Sequence, residues 1–144
     1  MQQSNRKESK GMLVLANRKE SKGMLVLDST QLRGITMDDE PLMLKVVGLL
    51  VARAAEQIEE IGKAVERQDT DSCRRLAHSL AGSCGNVGAV SLATTVKAME
   101  ICAACGDLSR CRRAVGRLRT ELDRLRDAAS ELAVTTSEEP CPAR

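Results

Sequence analysis

From Asp39 onward the apolar residues recur every three or four positions. Met43, Val47, Leu50, Ala54, Ile58, Ile61 and Val65 form the first such series, a spacing that lays side chains along one face of an α-helix. Leu44, Leu49 and Val51 widen that face, so this helix should touch more than one neighbour. Asp38-Asp39-Glu40-Pro41 marks its start, with acids at the positive helix end and proline in the first turn. Ending near Arg67, it would be roughly 40 Å long. Asp69-Thr70-Asp71-Ser72 then breaks the chain and caps a second long helix. That helix carries Cys73, Leu76, Leu80, Cys84 and Val87 on one face, and Gly85 and Gly88 weaken its end. A third begins near Ala89, turns Leu92, Val96, Met99 and Ala103 inward, and ends at Gly106. Asp107 and Ser109 restart the chain. In the last helix Cys111, Val115, Leu118, Leu122, Leu125, Ala129 and Leu132 alternate spacings of four and three. This is a heptad seam with Arg110, Arg112, Arg113, Arg117, Arg119 and Arg124 off it. Ahead of these four, Asp28-Ser29-Thr30 offers caps for a short helix through Gln31-Leu32-Arg33, ending near Gly34.

The pattern therefore predicts an all-α protein, an antiparallel four-helix bundle with a short additional N-terminal helix. The apolar stripes are read as its core. The predicted domain runs over residues 28–133, and residues 134–144 read as a disordered tail. Residues 1–27 hold a repeat: Asn5 to Leu15 reads NRKESKGMLVL, and Asn17 to Leu27 reads the same. A duplicated start site, a flexible tail and a hairpin of the two MLVL runs are all compatible with it. Two copies are too few for a solenoid.

Composition narrows the function. Phe, Tyr and Trp are absent, which removes the stacking platforms of single-strand nucleic-acid binders. The net charge is only +2, from 22 basic and 20 acidic residues, so bulk attraction to nucleic acid or anionic membrane is not expected. No apolar run approaches the roughly 20 residues of a membrane span, and no secretory signal is evident. The expected compartment is the cytoplasm, where the six cysteines would stay reduced. A single histidine, His78, excludes multi-histidine zinc sites and histidine-pair acid–base chemistry.

His78 lies in the segment RRLAHSLAGSCGNVGA, Arg74 to Ala89. It is two residues from Leu76 and from Leu80, about 200° around the helix, and so points outward. Ala81 and Gly82, one turn on, lie beside it, and Arg74 and Arg75 stand one turn before it. The imidazole is thus bare on one side and basic on the other. Gly82 in mid-helix costs about 1 kcal/mol relative to Ala, which makes sense if something must approach the ring closely. The bland alternative is a surface histidine near a helix-packing glycine.

The same residues resemble the signature of histidine-containing phosphotransfer (HPt) domains of multistep phosphorelays, usually A-H-x-L-K-G-S-x-x-x-x-G-A. Ala77, His78, Leu80, Gly82, Ser83, Gly88 and Ala89 match. Met99-Glu100 falls where the family often has Leu-Glu, and Gly106-Asp107 resembles its helix-ending Gly-Asp. The resemblance implies that His78 Nε2 accepts a phosphoryl group from a receiver-domain aspartyl phosphate and passes it to another receiver. The implied partners are the receivers of a hybrid histidine kinase and a response regulator. No cofactor of the chain's own is implied, since Mg²⁺ is expected on the partner receiver, and no autonomous kinase activity. Imidazole, with an ordinary pKa near 6.5, is largely a free nucleophile at neutral pH. Glu100 could hold Nδ1–H and leave Nε2 free, or be an ordinary exposed carboxylate. Arg74, Arg75, Ala81, Gly82 and Gly85 would centre the receiver interface. The family usually has Lys where this chain has Ala81; Arg74, Arg75 or Lys97 could replace its charge. Two other readings stay open: a helical adaptor that docks signalling proteins without transfer, and a zinc or redox module at Cys102-Ala103-Ala104-Cys105 with Cys111 nearby.

Overall fold

Aspartates set where the helices begin. In the computed structural model, which describes residues 25–137, helices run Ser29–Thr36 (α1), Glu40–Glu66 (α2), Thr70–Val87 (α3), Val90–Ala104 (α4) and Leu108–Ser137 (α5). Asp28, Asp39 and Asp69 each accept a hydrogen bond from the backbone N–H three residues on, at 3.2, 3.1 and 3.0 Å. Asp107 does the same for Arg110 at 3.1 Å. Each satisfies one of the donors a helix start leaves unpaired. The N–H of Ser72 also holds the Asp69 carboxyl below its usual range, helped by the Ser72 hydroxyl. Only α4 starts without a side-chain cap, at Ala89, because a mere two residues, Gly88 and Ala89, separate it from α3.

The expected all-α bundle is what forms. Short connections make successive long helices antiparallel, and α5 closes the ring by packing on α2. The main core runs through all four, with Ile58, Ile61, Leu80, Leu92, Val96, Met99, Leu118 and Leu125 almost wholly buried. A second, smaller cluster of Leu32, Met43 and Val47 lies beneath α1, joined by Val87 and Leu132 from the ends of α3 and α5. No strand occurs among the described residues.

Several boundaries move. Val26 is 4% exposed and part of the main core, so the folded unit includes the end of the second repeat copy rather than starting at Asp28. An apolar Val-Leu next to the bundle is buried where the bundle has room for it. The first copy lies outside the described residues. Helix α1 continues past Gly34 to Thr36, because Leu32 and Thr36 share the buried face and Thr36 Oγ1 donates to Leu32 O at 2.8 Å. Helix α5 reaches Ser137, four residues beyond the expected end at 133. Residues 138–144 lie outside the described part.

On α3 the inward side chains are Cys73, Ala77, Leu80, Ala81 and Cys84. Leu76 and Val87 are only partly buried, on a shoulder of the core. The face is rotated toward the alanines, whose small side chains let the neighbouring helices approach closely.

Candidate functional site

His78 sits midway along α3 with its side chain 76% exposed. Across the α3–α4 seam, Glu100 Oε2 lies 2.8 Å from His78 Nδ1. A carboxylate only accepts hydrogen bonds, so the pairing places the proton on Nδ1 and the ring's lone pair on Nε2. Glu100 is itself only 27% exposed, so it is a seated partner rather than a free surface carboxylate. Of the two readings open for Glu100, this pairing fits the orienting one.

The ring borders a shallow hollow of about 500 Å³ lined by His78, Ala81, Gly82, Gly85, Asn86, Lys97 and Glu100. A side chain built at Gly82 or Gly85 would meet nothing within 4 Å. Neither glycine is needed for helix packing; both leave open space beside the imidazole. Ala81 differs from the expectation of a bare exposed neighbour. It is 6% exposed and belongs to the core, so only its edge reaches the hollow. It falls between the buried row of Ala77, Leu80 and Cys84 and the His78 face, and the rotation of α3 draws it inward.

The basic residues divide. Lys97 lines the hollow from α4. Arg74 and Arg75 do not line it. Arg74 turns back to Asp71 at 3.2 Å, and Arg75 to Asp71 at 3.5 Å and the Ser72 hydroxyl at 2.9 Å. Sequence reasoning missed two residues. Asn86 lines the hollow; it is eight positions from His78, about 80° off its direction, so periodicity alone could have found it. Gln31 donates to the carbonyls of Gly85 and Asn86 at 2.6 and 3.1 Å. It thereby satisfies carbonyls that the end of α3 would leave unpaired. Only the fold brings α1 there, and no local signal marks Gln31.

Among the described residues the cysteines gather into no metal-ligating group. Burial pushes the Cys73 and Cys84 thiols up to about 12, and raises Cys111 as well, which leaves them protonated and poor nucleophiles or ligands. Among the described residues no three His, Cys, Asp or Glu side chains come together as metal ligands.

A family model for the Hpt domain matches residues 45–128, a span that holds His78, Glu100 and Lys97. The chain belongs to the Hpt domain family. Among solved structures, histidine-containing phosphotransfer protein B (HptB) from Pseudomonas aeruginosa is similar at 25% identity and a TM-score of 0.69. That match covers 74% of this chain and 92% of the other. A rice protein assigned to the histidine-containing phosphotransfer proteins shares the fold at 20% identity and a TM-score of 0.73, over 91% of this chain and 97% of its own. No curated protein matches. As an Hpt domain, the chain is a phosphorelay histidine-phosphotransfer intermediary, and His78 is its only histidine. No helix among the described residues is long and apolar enough to cross a membrane.

Proposed function

We propose that His78 Nε2 takes a phosphoryl group from the aspartyl phosphate of one receiver domain and gives it to the aspartate of another. The observation that carries this reading is the 2.8 Å pairing of His78 Nδ1 with Glu100 beside an open hollow. In the first half-reaction the Nε2 lone pair forms the N–P bond as the P–O bond to the aspartyl carboxyl breaks. The carboxylate leaves with the electron pair. Nδ1 keeps its proton, so the phosphorylated ring is cationic, and the Glu100 carboxylate stabilises that charge. The reverse sequence delivers the group to the second receiver. Phosphoryl transfer asks mainly for positioning and charge neutralisation. Lys97 supplies a cation to the hollow from this chain, while the receiver brings its acidic pocket and Mg²⁺. Gly82 and Gly85 let the receiver surface come close to the ring.

The partners under this reading are a hybrid kinase receiver and a response-regulator receiver, met in the cytoplasm. Incubation with a phosphorylated receiver domain tests the reading. The wild-type chain should gain an acid-labile label, and His78→Gln should gain none while its helical circular dichroism is unchanged. Undiminished labelling of His78→Gln overturns the assignment.

A further inference from the structure

On the far side of α4 from His78, the groove between α4 and α5 is walled by arginines, and the acid in its lining, Glu121, is buried and paired with Arg124. Two adjoining hollows of about 360 Å³ each share Arg117 as a common wall. Arg110 and Arg113 complete the basic wall at one end and Arg124 at the other. The α4 wall offers only uncharged groups, among them Thr94, Ala98 and Cys102. Arg110 is paired with Asp107 at 3.5 Å and Arg124 with Glu121 at 3.0 Å. Arg113 and Arg117 are exposed and have no acidic partner among the described residues.

This placement is not explained by the helix itself. From Leu108 to Thr120 α5 holds five arginines and no acid, at the end where the helix dipole disfavours cations. The chain as a whole is nearly balanced, at +2. The groove also points away from the site described above. Ala98 and Cys102 face it, and Glu100, two residues from each, is about 200° around α4. A molecule lying in the groove leaves the imidazole open.

Residues 1–24 of the chain do not match the groove in charge, with six Lys and Arg against two Glu. Single-stranded nucleic acid is disfavoured by the missing aromatics, and a membrane by the lack of an apolar rim beyond Ile101. The spacing of Arg110, Arg113 and Arg117 spans about 10 Å, the interval between acids one heptad apart on a helix or three residues apart on an extended strand. We propose that the α4–α5 groove docks an acidic polypeptide segment of a partner protein while His78 remains accessible.

The test is fluorescence anisotropy at low salt with the full chain and a labelled Glu- and Asp-rich peptide of about twelve residues, a length that spans Arg110 to Arg117 in either conformation. Wild type should bind, with affinity falling as salt rises. Arg113→Glu/Arg117→Glu should weaken binding at least about tenfold. Arg112→Glu/Arg126→Glu, which changes net charge equally outside the groove, should weaken it far less, and His78→Gln should bind as wild type does. Absence of peptide binding, or equal loss in the two charge-reversed variants, overturns the proposal. So does a duplex oligonucleotide or a phosphatidylserine vesicle binding through Arg113 and Arg117 when the peptide does not.

Discussion

At the scale of single residues, the site depends on what Glu100 does to one ring nitrogen. In the proposed transfer, its carboxylate fixes the proton on Nδ1 and compensates the cationic ring that the step creates. Glu100→Gln keeps an acceptor but removes the charge. A charge-assisted bond is roughly twice as strong as a neutral one, so transfer should slow by about tenfold, as rapid-quench measurement with a phosphorylated receiver would show. An unchanged rate would reduce Glu100 to a structural partner. Ala81 allows the opposite experiment. Its buried Cβ touches the rim of the hollow, and a lysine there can thread its stem outward toward the open space beside Gly82 and Gly85. Ala81→Lys should therefore raise the transfer rate by about tenfold at low salt, with the gain shrinking as salt screens it. Because Ala81 is a core residue and not a surface one, the same change should lower stability by about 1–3 kcal/mol. A rate that does not move would show that Lys97 already fills the role.

At the scale of elements, the site is held by the way α1 ties down the end of α3. Asp28 N donates to Gly88 O at 2.8 Å, and Gln31 takes the carbonyls of Gly85 and Asn86. Gly88 makes this possible. Its φ is +101°, and an added Cβ would stand 3.1 Å from Asp28 O. Gly88→Ala meets both the left-handed penalty and that clash. It should cost about 1–3 kcal/mol, read from the urea midpoint. It should also slow transfer modestly, because Gly85 and Asn86 shift with the helix end. A variant as stable as wild type would mean that α1 can be displaced freely. The buried Glu121 belongs to the same scale. It accepts from Ser91 at 2.6 Å and pairs with Arg124 at 3.0 Å, pinning α4 to α5 behind the His78 face.

Across the whole molecule, an aliphatic core without a single aromatic ring must fill its space with Leu, Ile, Val, Met, Ala and Cys. The thiols are packed as small apolar groups, and burial pushes Cys73 and Cys84 up to about 12. The native state therefore keeps protons that the unfolded chain releases at ordinary thiol pKa values. That contribution is fully present below the ordinary value and is lost as pH rises toward 12. The urea midpoint should fall through this alkaline window, and Cys84→Ala should flatten the fall. At pH 8 a thiol reagent should modify exposed Cys105 in the native chain and reach Cys84 only after unfolding. Rapid native labelling of Cys84 would contradict the packing.

Spacing of apolar residues determined α2 to α5 within a few residues, with aspartate caps marking the starts of α2, α3 and α5, because both signals are local. The His78 face was equally legible, since an imidazole offset from Leu76 and Leu80 in an α-helix cannot enter the core. Spacing could not decide the exact rotation of α3, which depends on how closely its alanines admit α2 and α4; hence the burial of Ala81 came only with the fold. Nor could it bring Gln31 to Gly85, seat Glu121 against Ser91, or choose Lys97 over Arg74 and Arg75 for the hollow. Those are contacts between residues far apart in sequence, or competitions with nearer partners such as Asp71. They are settled by which helices the closed ring makes neighbours.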